Sequence, residues 1–263
     1  RAAVSSYNDS KELLKHINSE LSDLMTNFDS YFTAFYLIID NKNNIMRIHL
    51  KIKTSDQIVP FNHQHLLTGV LHKWLNWNQK HGDLSLYSFS RLEGGRKAKD
   101  GLFFESGSSF FFSAWDENMT KLLIEGIQKY PEMFNGMQVT EIIMQPTPDL
   151  SKKELFFPAS PIFIKRYDKN RTEHIIYNDT RANKFLKETL EHKMEKAGFT
   201  DETLDIRFDL SYHRAGTKLV TYKNIKNRAS WCPVIINGKP ETKAFAWEVG
   251  LGNSTGVGFG AVK

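Results

Sequence analysis

The sequence predicts an α+β protein made of two tandem β-α-β-β-α-β units, and three observations carry that expectation. Stretches that alternate apolar and polar residues at strand period, such as "MRIHLKIK" (46–53), interleave with stretches of helical period, such as "NHQHLLTGVLHKWLNWN" (62–78). From Met46 the order reads strand, helix, strand, strand, helix, strand up to about residue 146, the ferredoxin-like (RRM-like) arrangement. After "PTPDLSKKELFFP" (146–158), which has the proline and charge content of a linker, strand-like segments and a strongly amphipathic helix begin again. The chain accordingly divides into an N-terminal extension (1–45), a first ferredoxin-like domain (46–150), a linker (151–157) and a second ferredoxin-like domain (158–263) with a glycine-rich loop.

Each element has its own local reason. Residues 9–28 read as a helix, with Asp9 and Glu12 spaced for a cap and Leu13, Leu14, Ile17, Leu21, Leu24, Met25 and Phe28 on one stripe. "YFTAFYLIID" and "IMRIHLKIK" then flank the polar turn "NKNN" as two strands. In the second of these, Ile48, Leu50 and Ile52 form one face and Arg47, His49, Lys51 and Lys53 the other. That open face is either solvated or turned toward RNA. A helix follows at about 63–78, strands around 84–92 and 102–114, a helix at about 117–130 and a strand around 137–146. Past the linker, "SPIFIKRY" (160–167) is a strand, and 180–197 a helix with Ala182, Phe185, Leu186, Leu190 and Met194 on its apolar face. Further strands are expected at roughly 204–212, 217–225, 230–236 and 244–250. No sequence repeat is visible, so the duplication rests on element order.

Composition narrows the partners. The 263 residues are 40% hydrophobic and 25% charged, ordinary for a folded protein able to bury one large core or two small ones. The single cysteine, Cys232, excludes an internal disulfide and a cysteine metal cluster, and points to a reducing, cytoplasmic setting. No stretch reaches the length of a membrane span, and the first residues lack a secretory signal layout. The formal net charge of +5 is uneven: residues 1–45 carry −2 and residues 46–263 carry +7. A basic body suits a polyanionic partner, because phosphate neutralisation drives nonspecific nucleic-acid binding.

The helix predicted at 63–78 has two faces. Leu66, Leu67, Val70, Leu71, Trp74 and Leu75 make its buried stripe, while His65, Gly69, His72 and Asn76 recur at i, i+4, i+7 and i+11 on the other side. His81, with Lys80 beside it, follows on a loop. Three readings compete for these imidazoles: a polar face, a metal site, or an acid–base pair. Two turns of helix separate His65 from His72 by about 10 Å, too far for one ion, and no HExxH or Cys partner is present. No metal and no other cofactor is expected. An acid–base pair with cations and no metal suits RNA cleavage by its own 2′-hydroxyl.

Five of the sixteen glycines crowd the last fourteen positions, in "VGLGNSTGVGFGAVK". No GK[ST] and no following helix accompany them, which argues against a nucleotide-binding loop. Val249, Leu251, Val257, Phe259 and Val262 want burial, so the segment is expected to be ordered, with amides available to phosphate oxygens in a nest. Two basic stretches could carry RNA. "GGRKAKDG" (94–101) reads as a flexible loop, and "RAGTKLVTYKNIKNR" (214–228) holds five cations and no acid, with Tyr212 and Tyr222 available for stacking.

Taken together, residues 46–263 resemble the CRISPR-associated endoribonucleases that process repeat RNA, members of the RAMP superfamily. The resemblance is carried in order by "MRIHLKIK", "VPFNHQHLLTGVL", "LYSFSRL" (86–92), "FPASPIFIK" and "VGLGNSTGVGFGAVK". It implies metal-independent cleavage of the CRISPR repeat to a 2′,3′-cyclic phosphate and a 5′-hydroxyl, yielding guide crRNAs. It further implies a catalytic histidine after the first helix at His81, a second group on that helix at His72, and a lysine nearby. Where the family carries that lysine this chain has Asp83, so Lys80 or a cation of "RLEGGRKAK" would substitute. The candidate RNA contacts are Gly252, Gly256, Gly258 and Gly260 in the glycine loop, Arg91 together with Arg96, Lys97 and Lys99 of the first basic stretch, and Arg214, Lys218, Lys223, Lys226 and Arg228 in the second. Residues 1–45 lie outside the resemblance, and the chain starts at Arg1 rather than Met. Both facts fit a fragment of a longer polypeptide, or fusion to another CRISPR effector or adaptation protein. A non-cleaving guide-RNA-binding subunit and a general RNA-binding scaffold are the rival expectations.

Overall fold

A computed structural model describes residues 46–53, 57–76, 84–168 and 171–263, all within the unit Ile45–Lys263. The helix expected at 9–28 and the strand "YFTAFYLIID" lie outside the described residues. The first half is built on a four-stranded antiparallel sheet. Its strands are β1 (Met46–Lys53), β3 (Tyr87–Phe89), β6 (Ser108–Ala114) and β7 (Gln138–Pro146), in the order β3-β6-β1-β7. With helix α1 (Gln64–Trp74) between the first and second sheet strands, and α2 (Glu117–Lys129) between the third and fourth, this is the expected β-α-β-β-α-β unit. Alternation in β1 sends Ile48, Leu50 and Ile52 into the core, where Ile48 pairs with Phe112 and Leu50 with Phe110 across the ladder. Leu67, Leu71 and Trp74 of α1 and Leu123, Ile124 and Ile127 of α2 are buried with them. The two helices approach closely at Gly126, where a Cβ would strike the Trp74 carbonyl.

The strand expected at 102–114 is instead two. The chain turns at Gly107 (φ +85°), whose amide donates to the Phe104 carbonyl, and separates β5 (Gly101–Phe103) from β6. β5 pairs with β2 (Val59–Pro60) and with β4 (Arg96–Lys97) in a small sheet of its own. The stretch expected as a flexible loop around Arg96 therefore contains a paired strand.

The second half repeats the pattern with additions. β11 (Asp205–Phe208), β14 (Val234–Asn237) and β8 (Leu155–Phe156) form an antiparallel sheet in that order. Beyond β8 the chain's end adds the fourth position: Pro158 bridges Val262, and Phe157 and Lys263 exchange amide-to-carbonyl bonds. Leu155 and Phe156, at the end of the segment read as linker, are thus strand residues. Two hairpins are inserted, β9 (Ile164–Asp168) with β10 (Arg171–Ile175) and β12 (Gly216–Tyr222) with β13 (Ile225–Trp231). Helix α3 (Ala182–Ala197) closes with Gly198 in a left-handed cap.

One expectation fails outright. Residues 244–250, read as a strand, belong to helix α4 (Pro240–Val249), with Pro240 in its first turn. Thr242, Phe245, Ala246 and Val249 are buried at i, i+3, i+4 and i+7. The run "AFAWEV" is rich in strand-favouring side chains, but burial nearly all round the helix hides its period.

Candidate active site

The site is assembled on α1 from both halves. Its N-terminal imidazoles are engaged locally: His63 Nδ1 donates to the Pro60 carbonyl at 2.9 Å, and His65 Nδ1 to the Asn62 carbonyl at 2.8 Å. His63 is buried, its Nε2 has no hydrogen-bond partner, and burial, assisted by Arg91 and His65, pushes its pKa down. His72 lies in the last helical turn, half-buried. His81 and Lys80 lie outside the described residues.

The glycine-rich loop closes over α1 and β3. Gln64 Nε2 donates to the Val257 carbonyl at 3.1 Å, and the Tyr87 hydroxyl to the Gly256 carbonyl at 3.1 Å. A Cβ at Gly258 (φ +89°) would collide with the Gln64 amide, and one at Gly256 with the Ser85 hydroxyl. The amides of Gly258 and Gly260 are spent within the protein, on the Thr255 and Pro161 carbonyls, and Gly252 packs against Phe163. The glycines thus bring the loop against α1 and β3, and two of the four candidate amides already have carbonyl partners.

A residue that sequence reading passed over holds this loop from behind. Lys193 of α3 is 1% exposed and donates to the Val249 and Gly250 carbonyls at 3.0 Å each and to Thr255 Oγ1 at 3.1 Å. Burial pushes its pKa down to about 7. Its signal in the sequence is a lysine three residues after Leu190 and seven after Leu186, on the apolar stripe of an otherwise regular helix. Three residues on, Lys196 donates to the Leu84 carbonyl at 2.9 Å.

The two basic stretches meet α1 differently. Arg96, Lys97 and Lys99 are exposed on the small sheet, where Arg96 pairs with Glu105. Arg91 is half-buried, and its amide donates to the Ala159 carbonyl. Arg214, Lys218, Lys223, Lys226 and Arg228 are all exposed on or beside the β12–β13 hairpin. That hairpin packs back against α1 through β12, with the Tyr222 hydroxyl facing Thr68.

Arg47, expected on the open cationic row of β1, is buried. Its guanidinium donates to Ser113 Oγ and to the Trp247 and Val262 carbonyls, and lies between the Phe111 and Trp247 rings. With His49, Phe111, Gln145, Lys153 and Trp247 it lines a cleft of about 340 Å³. Lys51 and Lys53 remain exposed. Among the described residues no group of three or more His, Cys, Asp or Glu is placed to hold a metal ion, and no helix is long and apolar enough to cross a membrane.

Residues 144–263 match the family model "CRISPR associated protein Cas6, C-terminal". Over that stretch the chain is similar to the Cas6 family. A Cas6 endoribonuclease-like protein of Pyrococcus furiosus is 26% identical over 163 residues, covering 59% of this chain and 67% of the relative. A Cas6nc endoribonuclease-like protein of Pyrococcus horikoshii is 24% identical over the same shares. Among solved structures, a Cas6-related protein of Pyrococcus furiosus superposes with a TM-score of 0.72 at 21% identity, covering 83% of this chain and 98% of that one. A RAMP protein described as binding different RNA substrates gives 0.72 at 22% identity with the same coverage. These likenesses show the Cas6 fold, two tandem ferredoxin-like units.

Proposed function

We propose that this protein is a Cas6-like, metal-independent endoribonuclease that cleaves CRISPR repeat RNA to give guide crRNAs. One imidazole of the pair His72 and His81 takes the proton of the 2′-hydroxyl, and the oxygen attacks the adjacent phosphorus in line. The other imidazole protonates the departing 5′-oxygen, leaving a 2′,3′-cyclic phosphate and a 5′-hydroxyl. Lys80, next to His81 in sequence, is the first-half candidate for the charge that builds on the phosphoryl oxygens.

The observation that carries this reading is the closure of α1, with His72 in its last turn, by the glycine loop at Gln64 and by the hairpin at Thr68. Both closures come from the second half, so a strand of RNA meets His72 with cations from both halves around it. The names of the relatives, endoribonuclease-like and RNA-binding, support the same conclusion. CRISPR repeat RNA is accordingly the proposed partner.

The test is cleavage of repeat RNAs in excess EDTA, with and without a single 2′-deoxy substitution at the scissile site. Cleavage that survives EDTA and is abolished by the deoxy substitution is the expected outcome. His72→Ala and His81→Ala should each slow it about 100- to 10,000-fold. Tight binding of the cognate repeat without cleavage would replace the enzyme with a guide-RNA-binding subunit.

A further inference from the structure

The sequence puts Asp83 where the resembling family has its lysine, and the described cations around α1 are mostly committed elsewhere. Lys73, next to His72 in sequence, donates to the Glu132 carbonyl at 3.0 Å. Lys193 and Lys196 are bound to backbone carbonyls of the glycine loop and of Leu84.

The tip of the β12–β13 hairpin is arranged differently. Tyr222 and Ile225 are the last pair of the ladder, and the two residues between them, Lys223 and Asn224, both have positive φ (+45° and +67°). This is the two-residue mirror-image turn whose twist suits a hairpin, and Asn, Asp or Gly usually fill it. Asn224 conforms. Lys223 does not: a long side chain in the left-handed region costs conformational energy, and strain of this kind marks residues kept for another reason. The turn is also braced, since Asn227 Nδ2 donates to the Ile225 carbonyl at 3.0 Å.

The position of this tip is fixed against α1. β12, which ends at Tyr222, packs against α1 with the Tyr222 hydroxyl facing Thr68, and His72 is one helical turn beyond Thr68, about 6 Å along the axis. The Lys223 ammonium stands 5.9 Å from the Tyr222 ring centroid, at the outer reach of a cation–π contact. A flexible stem of four methylenes carries that charge, enough to move from the ring to a phosphate lying along the Thr68–His72 face.

We propose that Lys223, presented by the second half on its hairpin tip, is the cation that neutralises the scissile phosphate beside His72; this rests on the nuclease reading above. The charge that the first half lacks at position 83 is thereby restored in space from a residue 140 positions away in sequence. The remaining hairpin cations, Lys218, Lys226 and Arg228, bind RNA without touching the reacting phosphate.

The test uses the full chain in single-turnover cleavage of the cognate repeat, with binding to the 2′-deoxy repeat measured alongside. Lys223→Ala should slow the cleavage step about 100-fold at saturating protein, while its loss of affinity matches that of Lys218→Ala or Lys226→Ala. Lys223→Arg should recover most of the rate. A Lys223→Ala protein that cleaves normally at saturation overturns the assignment and makes the tip a simple RNA contact. Loss of cleavage in Lys80→Ala with none in Lys223→Ala moves the cation to the first half. A wild-type protein that binds but never cleaves removes the nuclease reading itself, and the catalytic role of Lys223 with it.

Discussion

Glu248 and Lys193 are buried ionisable residues in the second half, and their proton linkages run in opposite directions. Glu248 Oε1 accepts from the Thr147 hydroxyl at 2.7 Å, while Oε2 is buried without a hydrogen-bond partner among the described residues. Burial lifts the carboxyl to about 8 against the opposing pull of Thr147 and Arg47. Its folded value is above the unfolded one, roughly 4.3, so its contribution is fully present below that pH and is lost as pH rises through about 8. Lys193 is held near 7, below the unfolded value of roughly 10.4, so its contribution is present above that value and is lost as pH falls through about 7. Urea unfolding of wild type, Glu248→Gln and Lys193→Met at pH 5, 7 and 9 separates them. Glu248→Gln should gain on wild type as pH climbs from 5 to 8. Lys193→Met should lose ground to wild type between 7 and 9. Neither group could be picked out of the sequence as buried. Lys193 left a trace as a cation on an apolar stripe, but Glu248 sits in "AFAWEVG", which offers no contrast between faces.

At the scale of elements, what could be read was whatever has a period and a wet face. β1, α1, α2 and α3 each alternate an apolar stripe with a charged one, and their positions follow from that contrast alone. α4 is buried on nearly every side, so its period vanished and strand-favouring residues decided the reading wrongly. The break between β5 and β6 was missed because a turn at Gly107 interrupts an apolar run without changing its composition. What starts α4 was also invisible locally. Lys239, at its N-cap, contributes no side-chain cap; the cap comes from Asp201, thirty-eight residues earlier, which accepts from the Lys239 amide at 2.8 Å and the Thr242 hydroxyl at 2.6 Å. These bonds, with two more from Thr203, hold the Asp201 carboxyl well below the usual range. Asp201→Ala should therefore cost roughly 2 to 3 kcal/mol in a denaturant titration. The protection also fades in acid, because a depressed carboxyl stabilises above its unfolded value and loses that effect as pH falls toward the folded one. An Asp201→Ala protein as stable as wild type at neutral pH would mean that α4 is held by packing alone.

At the scale of the whole molecule, one side chain that starts in the first strand bonds to both halves at once. Alternation correctly put Arg47 on the polar face of β1, but nothing local could say that α4 and the C-terminal strand cover that end of the face. Its guanidinium reaches Ser113 Oγ at 2.8 Å within the first half, and the Trp247 and Val262 carbonyls at 2.7 and 2.9 Å in the second. Trp247 and Val262 flank the run from Gly250 to Gly260, so Arg47 ties down both sides of the segment that closes on Gln64 and Tyr87. Removing a buried charge with this many partners should cost about 3 to 5 kcal/mol. Arg47→Lys should recover only part of that, because a single ammonium can neither span three acceptors nor stack between two rings. Lys51→Ala, two residues along the same face at an exposed pair with Glu141, should change stability by no more than about 1 kcal/mol. If Arg47 acts by holding the loop, RNA cleavage by Arg47→Ala will fall at temperatures well below its unfolding midpoint. Cleavage that tracks the folded fraction alone would confine Arg47 to stability, and the loop would then owe its place on α1 to Lys193 and Gln64.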